Sequence, residues 1–120
     1  MSSKPLVLVV EDEPLLRLHA VSLLEDAGFD TLQAGSADEA IALLEKDANI
    51  QIVFTDIDLP GGMDGMKLAA AVRDRWPPVE LVLTSGHIKV RDADLPARGH
   101  FLSKPYDAER LINTMQGLVH

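Results

Sequence analysis

Five short apolar runs, each followed by a stretch of different rhythm, restrict this chain to very few folds. Leu6–Val10 is continuous and rich in β-branched residues, the pattern of a strand buried on both faces. Pro14 then opens a segment in which Leu15, Leu16, Leu18, Val21, Leu23 and Leu24 recur at helical spacing. Gly28 closes it as a left-handed cap. Phe29–Ala34 reads as a second strand. Ser36 with Glu39 forms a capping box, satisfying free backbone N–H groups at a helix start, and Ala40, Ile41, Leu43 and Leu44 supply that helix's buried stripe. Ile50–Thr55 is the third strand. Met66, Leu68, Ala69 and Val72 mark a third helix, which Pro77-Pro78 stops. Val79–Leu83 is the fourth strand, Phe101–Ser103 a short fifth, and Tyr106–Leu118 a final amphipathic helix.

The segment from Gly86 to Gly99 breaks the rhythm. It scatters Ile88, Val90 and Leu95 among charges, and Pro96 cuts it short. A fourth helix here has room for only about two turns at 3.6 residues per turn. The alternation as a whole predicts an α/β domain with a parallel sheet covered by helices on both faces. Residues 1–120 fit one such domain, with no linker, repeat or low-complexity tract. Ligands of these sheets bind beyond the carboxyl ends of the strands, where strand order reverses.

Composition removes several function classes. The formal net charge of −8 would repel a nucleic-acid backbone. The absence of cysteine excludes disulfides, thiolate metal sites and cysteine nucleophiles. No apolar run approaches the ~7–15 residues of a signal core or the ~20 of a membrane span. A cytoplasmic protein with no membrane partner is expected. The start at Met1 reads as that of a free-standing protein, while the abrupt end at Val119-His120 leaves truncation open.

The residues just past the strands carry the chemistry. Glu11, Asp12 and Glu13 follow the first strand, Asp56 and Asp58 the third, Thr84-Ser85 the fourth, and Lys104-Pro105 the fifth. Clustered carboxylates repel one another unless some are protonated or a cation sits among them. An all-oxygen set without His or Cys favours a hard cation, Mg²⁺ or Mn²⁺. A carboxylate can attack phosphorus, with the metal offsetting charge on the phosphoryl oxygens and Lys104 and Thr84 holding the others.

Val9-Val10-Glu11-Asp12-Glu13-Pro14, Phe54-Thr55-Asp56-Ile57-Asp58-Leu59-Pro60, Leu83-Thr84-Ser85-Gly86 and Phe101-Leu102-Ser103-Lys104-Pro105 resemble, in order, the four signatures of the receiver domain of two-component response regulators. The resemblance covers nearly the whole chain. It implies a flavodoxin-like, doubly wound sheet of order 2-1-3-4-5, here with a short fourth helix. It implies a phosphorelay protein that is not an enzyme but promotes its own phosphoryl transfer and dephosphorylation. Asp56 is then the phosphoacceptor. Asp12 binds Mg²⁺ directly, Glu11 mainly through water, and Asp58 through its backbone carbonyl. Thr84 bonds the phosphoryl group and moves on activation, Phe101 is the aromatic switch that follows it, and Lys104 pairs with a phosphoryl oxygen. The Lys104-Pro105 bond is expected to be cis, as proline permits. A histidine kinase or histidine phosphotransfer protein is the expected donor and a downstream protein the target, the chain acting as a monomer or weak dimer.

Four features depart from the family pattern. The loop Pro60-Gly61-Gly62-Met63-Asp64-Gly65 is one residue longer than usual, Ser85 replaces a small apolar residue, Phe101 lacks a hydroxyl, and the fourth helix is abbreviated. Simpler roles suffice elsewhere. Glu13 caps the first helix. Gly61, Gly62 and Gly65 fit no phosphate-loop spacing and read as a flexible loop. His19, His87, His100 and His120 enter no catalytic order, and Trp76 packs a helix end whose Arg73 and Arg75 are solvated. Asp56-Ile57-Asp58 also resembles the nucleophile motif of haloacid-dehalogenase-type phosphatases, but that motif usually opens a chain and is accompanied by a cap. A receiver-like module without phosphorylation would lack some of the acids, Thr84 or Lys104, and none is lacking. The remaining alternative is a receiver module of a hybrid kinase or longer regulator.

Overall fold

β-branched runs and amphipathic stretches alternate through the computed structural model, which describes residues 4–87 and 90–119. The elements are β1 (Leu6–Val10), α1 (Pro14–Asp26), β2 (Asp30–Ala34), α2 (Ala37–Lys46), β3 (Ile50–Asp56), α3 (Gly65–Arg75), β4 (Glu80–Ser85), a 3₁₀ turn (Asp92–Asp94), β5 (Gly99–Ser103) and α4 (Ala108–Gln116). The five strands form one parallel sheet of order β2-β1-β3-β4-β5. Strand order reverses between β1 and β3, the place expected for ligand chemistry.

The period-two geometry of a strand sends successive side chains to opposite faces, and the core divides accordingly. Leu8, Val10, Val53, Leu81 and Leu83 meet Ala40 and Leu44 of α2 and Leu68, Ala69 and Val72 of α3. Val7, Val9, Ile52, Phe54, Val82 and Leu102 meet Ala20, Val21 and Leu24 of α1 and Leu111 and Met115 of α4. Each fully buried Val or Leu contributes about 1.5–3 kcal/mol of transfer free energy.

The helix ends follow the expected chemistry. The Glu13 carboxylate accepts from the Leu15 amide and caps α1. Ser36 accepts from the Glu39 amide, and Glu39 reaches back to the Gly35 amide. Gly28 takes a φ of 98°, the left-handed conformation expected of it. The Lys104-Pro105 peptide is cis.

Three expectations change. The abbreviated segment before β5 is shorter than two turns: the described residues hold a single three-residue 3₁₀ turn, while Ile88 and Lys89 lie outside them. Val90 and Leu95 are too far apart to form a helical stripe, and Pro96 has no amide to continue one. Leu15, Leu16 and Leu18 are not core residues but 76%, 48% and 52% exposed. The buried side of α1 is Ala20, Val21 and Leu24, because only that side faces the sheet. Arg73 is not a free charge at a helix end: its guanidinium donates to the carbonyls of Pro77 (2.7 Å), Val79 (2.8 Å) and Ala97.

Candidate functional site

The parallel ladder delivers the acids to one edge. Beyond β1 the Glu11 amide donates to the Ala34 carbonyl at 3.0 Å, and beyond β3 the Ile57 amide donates to the Thr84 carbonyl at 2.8 Å. Lys104 is tied by its own amide to the Ser85 carbonyl at 3.0 Å. β3 and β4 run further than expected, so Asp56, Thr84 and Ser85 are strand residues, and Asp56 lies opposite Thr84 in register.

Side-chain alternation then assigns the faces. Asp56 continues the Ile52 and Phe54 side of β3, and Thr84 continues the Val82 side of β4, so both point toward α1 and α4. They line a small hollow together with Glu11, Leu16, Ala20 and Tyr106. Ser85 points the other way, toward α3.

Lys104 is the centre of the cluster. Its Nζ lies 2.8 Å from Asp56 Oδ2 and 3.1 Å from Glu11 Oε1. Glu11, Asp12 and Asp56 bring carboxylate oxygens within 4.8 Å of one another, with Glu11 and Asp56 buried and Asp12 exposed. One ammonium against three carboxylates leaves excess negative charge. Burial pushes the Glu11 carboxyl above its ordinary value, against the pull of the Glu13 amide and of Lys104. Burial pulls the Lys104 ammonium down, but its hydrogen bonds to Asp56 and Glu11 and their charges outweigh this and hold it high.

The arrangement is chemically suited to a hard cation and an incoming anion. The acids are all-oxygen donors, as Mg²⁺ prefers. Asp56 Oδ1 accepts from the Asp58 amide at 2.9 Å, which orients the carboxylate. The Thr84 hydroxyl is buried without a hydrogen-bond partner among the described residues. Such a group is costly unless something else supplies the bond.

The structure brings together Glu11, Asp12, Asp56, Thr84 and Lys104. It does not gather the Asp58 side chain with them: that carboxylate accepts from Ser85 Oγ at 2.8 Å. Phe101 is half-buried beside Leu83 in register and packs with the α2–α3 side of the core, on the face opposite Thr84.

Four contributors carried little signal in the sequence. Arg17 donates to the Glu11 carbonyl at 2.8 Å and to Gln33 Oε1 at 3.1 Å, bracing the acidic turn from α1. Tyr106 stacks edge-on against Phe54 with centroids 5.8 Å apart. Burial pushes its phenol up, Lys104 opposing and Glu11 and Asp56 adding to the shift. Gly65 is no flexible loop residue. It is the buried first residue of α3, and a Cβ there would stand 2.2 Å from the Asp56 carbonyl oxygen and 2.6 Å from Ile57 Cα. Ser85, conspicuous only as a departure from the family pattern, is the fourth.

Comparison with known proteins agrees with this geometry. The family described as the response regulator receiver domain matches residues 7–116. The sensor kinase CckA of Brucella abortus is 29% identical over 99% of this chain, which spans 13% of that protein. The nitrogen assimilation regulatory protein NtrX of Azorhizobium caulinodans is 34% identical over 88% of the chain, which spans 24% of it. The chain thus covers a quarter or less of either relative. A crystal structure of a response regulator receiver protein from Sinorhizobium medicae superposes with a TM-score of 0.88 at 31% identity, covering 96% of this chain and 94% of that one.

Proposed function

The chain belongs to the response regulator receiver family, and from that membership we propose that Asp56 accepts a phosphoryl group in a Mg²⁺-dependent step. The observation that carries the proposal is the contact of Lys104 with both Asp56 and Glu11, beside a buried Thr84 hydroxyl in need of a partner. A receiver is a signalling domain, and its chemistry serves a change of state rather than turnover.

The donor is a phosphohistidine on a histidine kinase or phosphotransfer protein. The bond from the histidine nitrogen to phosphorus breaks as a bond from phosphorus to an Asp56 oxygen forms, and the electron pair stays on the donor nitrogen. The Asp58 amide holds one Asp56 oxygen in place. Lys104 transfers part of its contact from Asp56 to a phosphoryl oxygen, and the Thr84 hydroxyl turns to donate to another. Glu11, Asp12 and Asp56, with the Asp58 carbonyl, would hold Mg²⁺ or Mn²⁺, which when bound offsets the charge of the phosphoryl oxygens. Movement of Thr84, followed by Phe101, then shifts the population of the β4–β5 face that a downstream protein reads.

The approach to the site supports a protein donor. A groove of about 340 Å³, lined by Glu11, Leu16, His19, Gly86, Lys104, Pro105 and Tyr106, opens beside Lys104, and Leu16 is one of three exposed leucines of α1, with Leu15 and Leu18. An apolar surface at the mouth of a charged site suits a partner that covers it during transfer. The net charge of −8 disfavours nucleic acid as that partner. No described helix is long and apolar enough to cross a membrane, and a cytoplasmic location fits a phosphohistidine donor. Residues 1–120 act as one receiver unit in this reading, whether alone or within a longer protein.

Incubation with Mg²⁺ and acetyl phosphate, followed by intact mass, is expected to add one phosphoryl group to the wild type and none to Asp56→Asn. No adduct on the wild type, or an undiminished one on the variant, overturns the assignment.

A further inference from the structure

We propose that Ser85 is a positioning residue that lengthens the life of the phosphorylated form by holding the Asp58 carboxylate away from the phosphoacceptor. The inference rests on Asp56 being the phosphoacceptor, and concerns how quickly that phosphoryl group is lost.

Consecutive residues of β4 have opposite duties. Thr84 points to the face it shares with Asp56. Ser85, only 2% exposed, points to the α3 side, where its Oγ donates to Asp58 Oδ2 at 2.8 Å. The same oxygen accepts from the His87 amide at 3.1 Å. One hydroxyl therefore joins the turn after β3 to the turn after β4. With a carboxylate as acceptor the bond is charge-assisted, which favours it over one between neutral groups.

The bond matters because of where the Asp58 main chain is. Its amide donates to Asp56 Oδ1 at 2.9 Å, so the backbone of Asp58 is fixed on the reacting carboxylate while its side chain is turned toward β4. Asp58 is not among the carboxylates that gather within 4.8 Å at the cluster centre. Released from Ser85, that side chain would be a free base two residues from the phosphoryl group.

A base that takes up a proton speeds hydrolysis of the phosphorylated form. A water oxygen bonds to phosphorus as the bond from phosphorus to the Asp56 oxygen breaks. The electron pair returns to Asp56 as its carboxylate, the water proton passes to the accepting base, and inorganic phosphate leaves. With its Oδ2 engaged by Ser85, Asp58 is a poor acceptor for that proton. With the hydroxyl removed, it can orient the water.

The test loads wild type, Ser85→Ala, Asp58→Asn and the double variant with acetyl phosphate and Mg²⁺, removes the donor, and follows the adduct by intact mass. Ser85→Ala is expected to shorten the half-life by about tenfold, short of the roughly 10²-fold that a fully positioned general base contributes. On the Asp58→Asn background, whose amide oxygen still accepts from Ser85, the same change is expected to have no effect. A mere loosening of the turn would act on both backgrounds alike. An unchanged or longer half-life in Ser85→Ala, or an equal shortening with and without Asp58, overturns the inference and leaves the phosphoacceptor assignment standing. A wild type that takes up no phosphoryl group overturns both.

Discussion

The two connections that flank β4, residues 57–79 and 86–98, differ in length and are built by different means. Before β4, α3 is capped at its start by Asp64, whose carboxylate accepts from the Lys67 amide at 2.9 Å. It buries Gly65, Leu68, Ala69 and Val72 and ends at Trp76, over whose ring Arg75 lies at 4.4 Å. After β4, the described residues offer one 3₁₀ turn, half-buried Val90 and Leu95, and Arg98 at a φ of 59°. An exposed ion pair of Arg91 with Asp94 adds little. The second connection leans on the first, since Arg73 of α3 donates to the Ala97 carbonyl. Apolar residues spaced three and four apart can pay the entropy of a helix by burying one face, and Val90 and Leu95, spaced five apart and followed by Pro96, cannot. The site is nevertheless complete, because Asp56, Thr84 and Lys104 hang from the strand ladder rather than from either connection.

That contrast can be broken by stability measurements. Leu68→Ala is expected to lower the free energy of unfolding in urea by about 2–5 kcal/mol, the range for a fully buried leucine. Leu95→Ala is expected to cost less than about 1 kcal/mol, as for a partly exposed contact. Both side chains belong to one core cluster, Leu68 inside it and Leu95 at its edge, and equal costs would mean that the edge position is held as firmly as the buried one.

Next in size is Gly65→Ala. Its new Cβ meets the backbone of Asp56 and Ile57 rather than a movable side chain. It is expected to cost about 1–3 kcal/mol, as overpacking does, and to slow acetyl phosphate uptake by displacing Asp56. Gly62→Ala has open space around it and is expected to stay within about 0.5 kcal/mol in the same urea titration. A Gly65→Ala protein that matches Gly62→Ala in both measurements would remove α3 from the support of the site.

Asp64→Ala, which deletes the α3 cap, is expected to cost about 1 kcal/mol by thermal melting. Arg91→Ala, on the other connection, is expected to change stability by less than about 0.5 kcal/mol. If the arginine proved the more costly of the two, the 3₁₀ segment would be held by its ion pair and not by α3.

Much of the fold was readable because its signals are local. The continuous run Leu6–Val10, the capping box at Ser36 and Glu39, and the stop at Pro77-Pro78 each act within a few residues. The exposed leucines of α1 were not readable. Leu15, Leu16, Leu18, Leu23 and Leu24 surround much of the helix, and only the sheet decides which side is buried. Arg73 illustrates the same limit, since a charge near a helix end is solvated or not according to which carbonyls the chain brings back to it.

The candidate site divides along the same line. Residue types and their order past the strands determined which groups could do the chemistry: Glu11, Asp12, Asp56, Thr84 and Lys104 are strand-end residues, and strand ends follow from local pattern. Which of them touch was decided by tertiary structure. Lys104 meets Asp56 across 48 residues and Glu11 across 93, distances that only the strand order closes. The same packing set Gly65 against the Asp56 carbonyl and turned the Asp58 carboxylate to Ser85. Side-chain direction depends on register and face, and these exist only once the strands have paired.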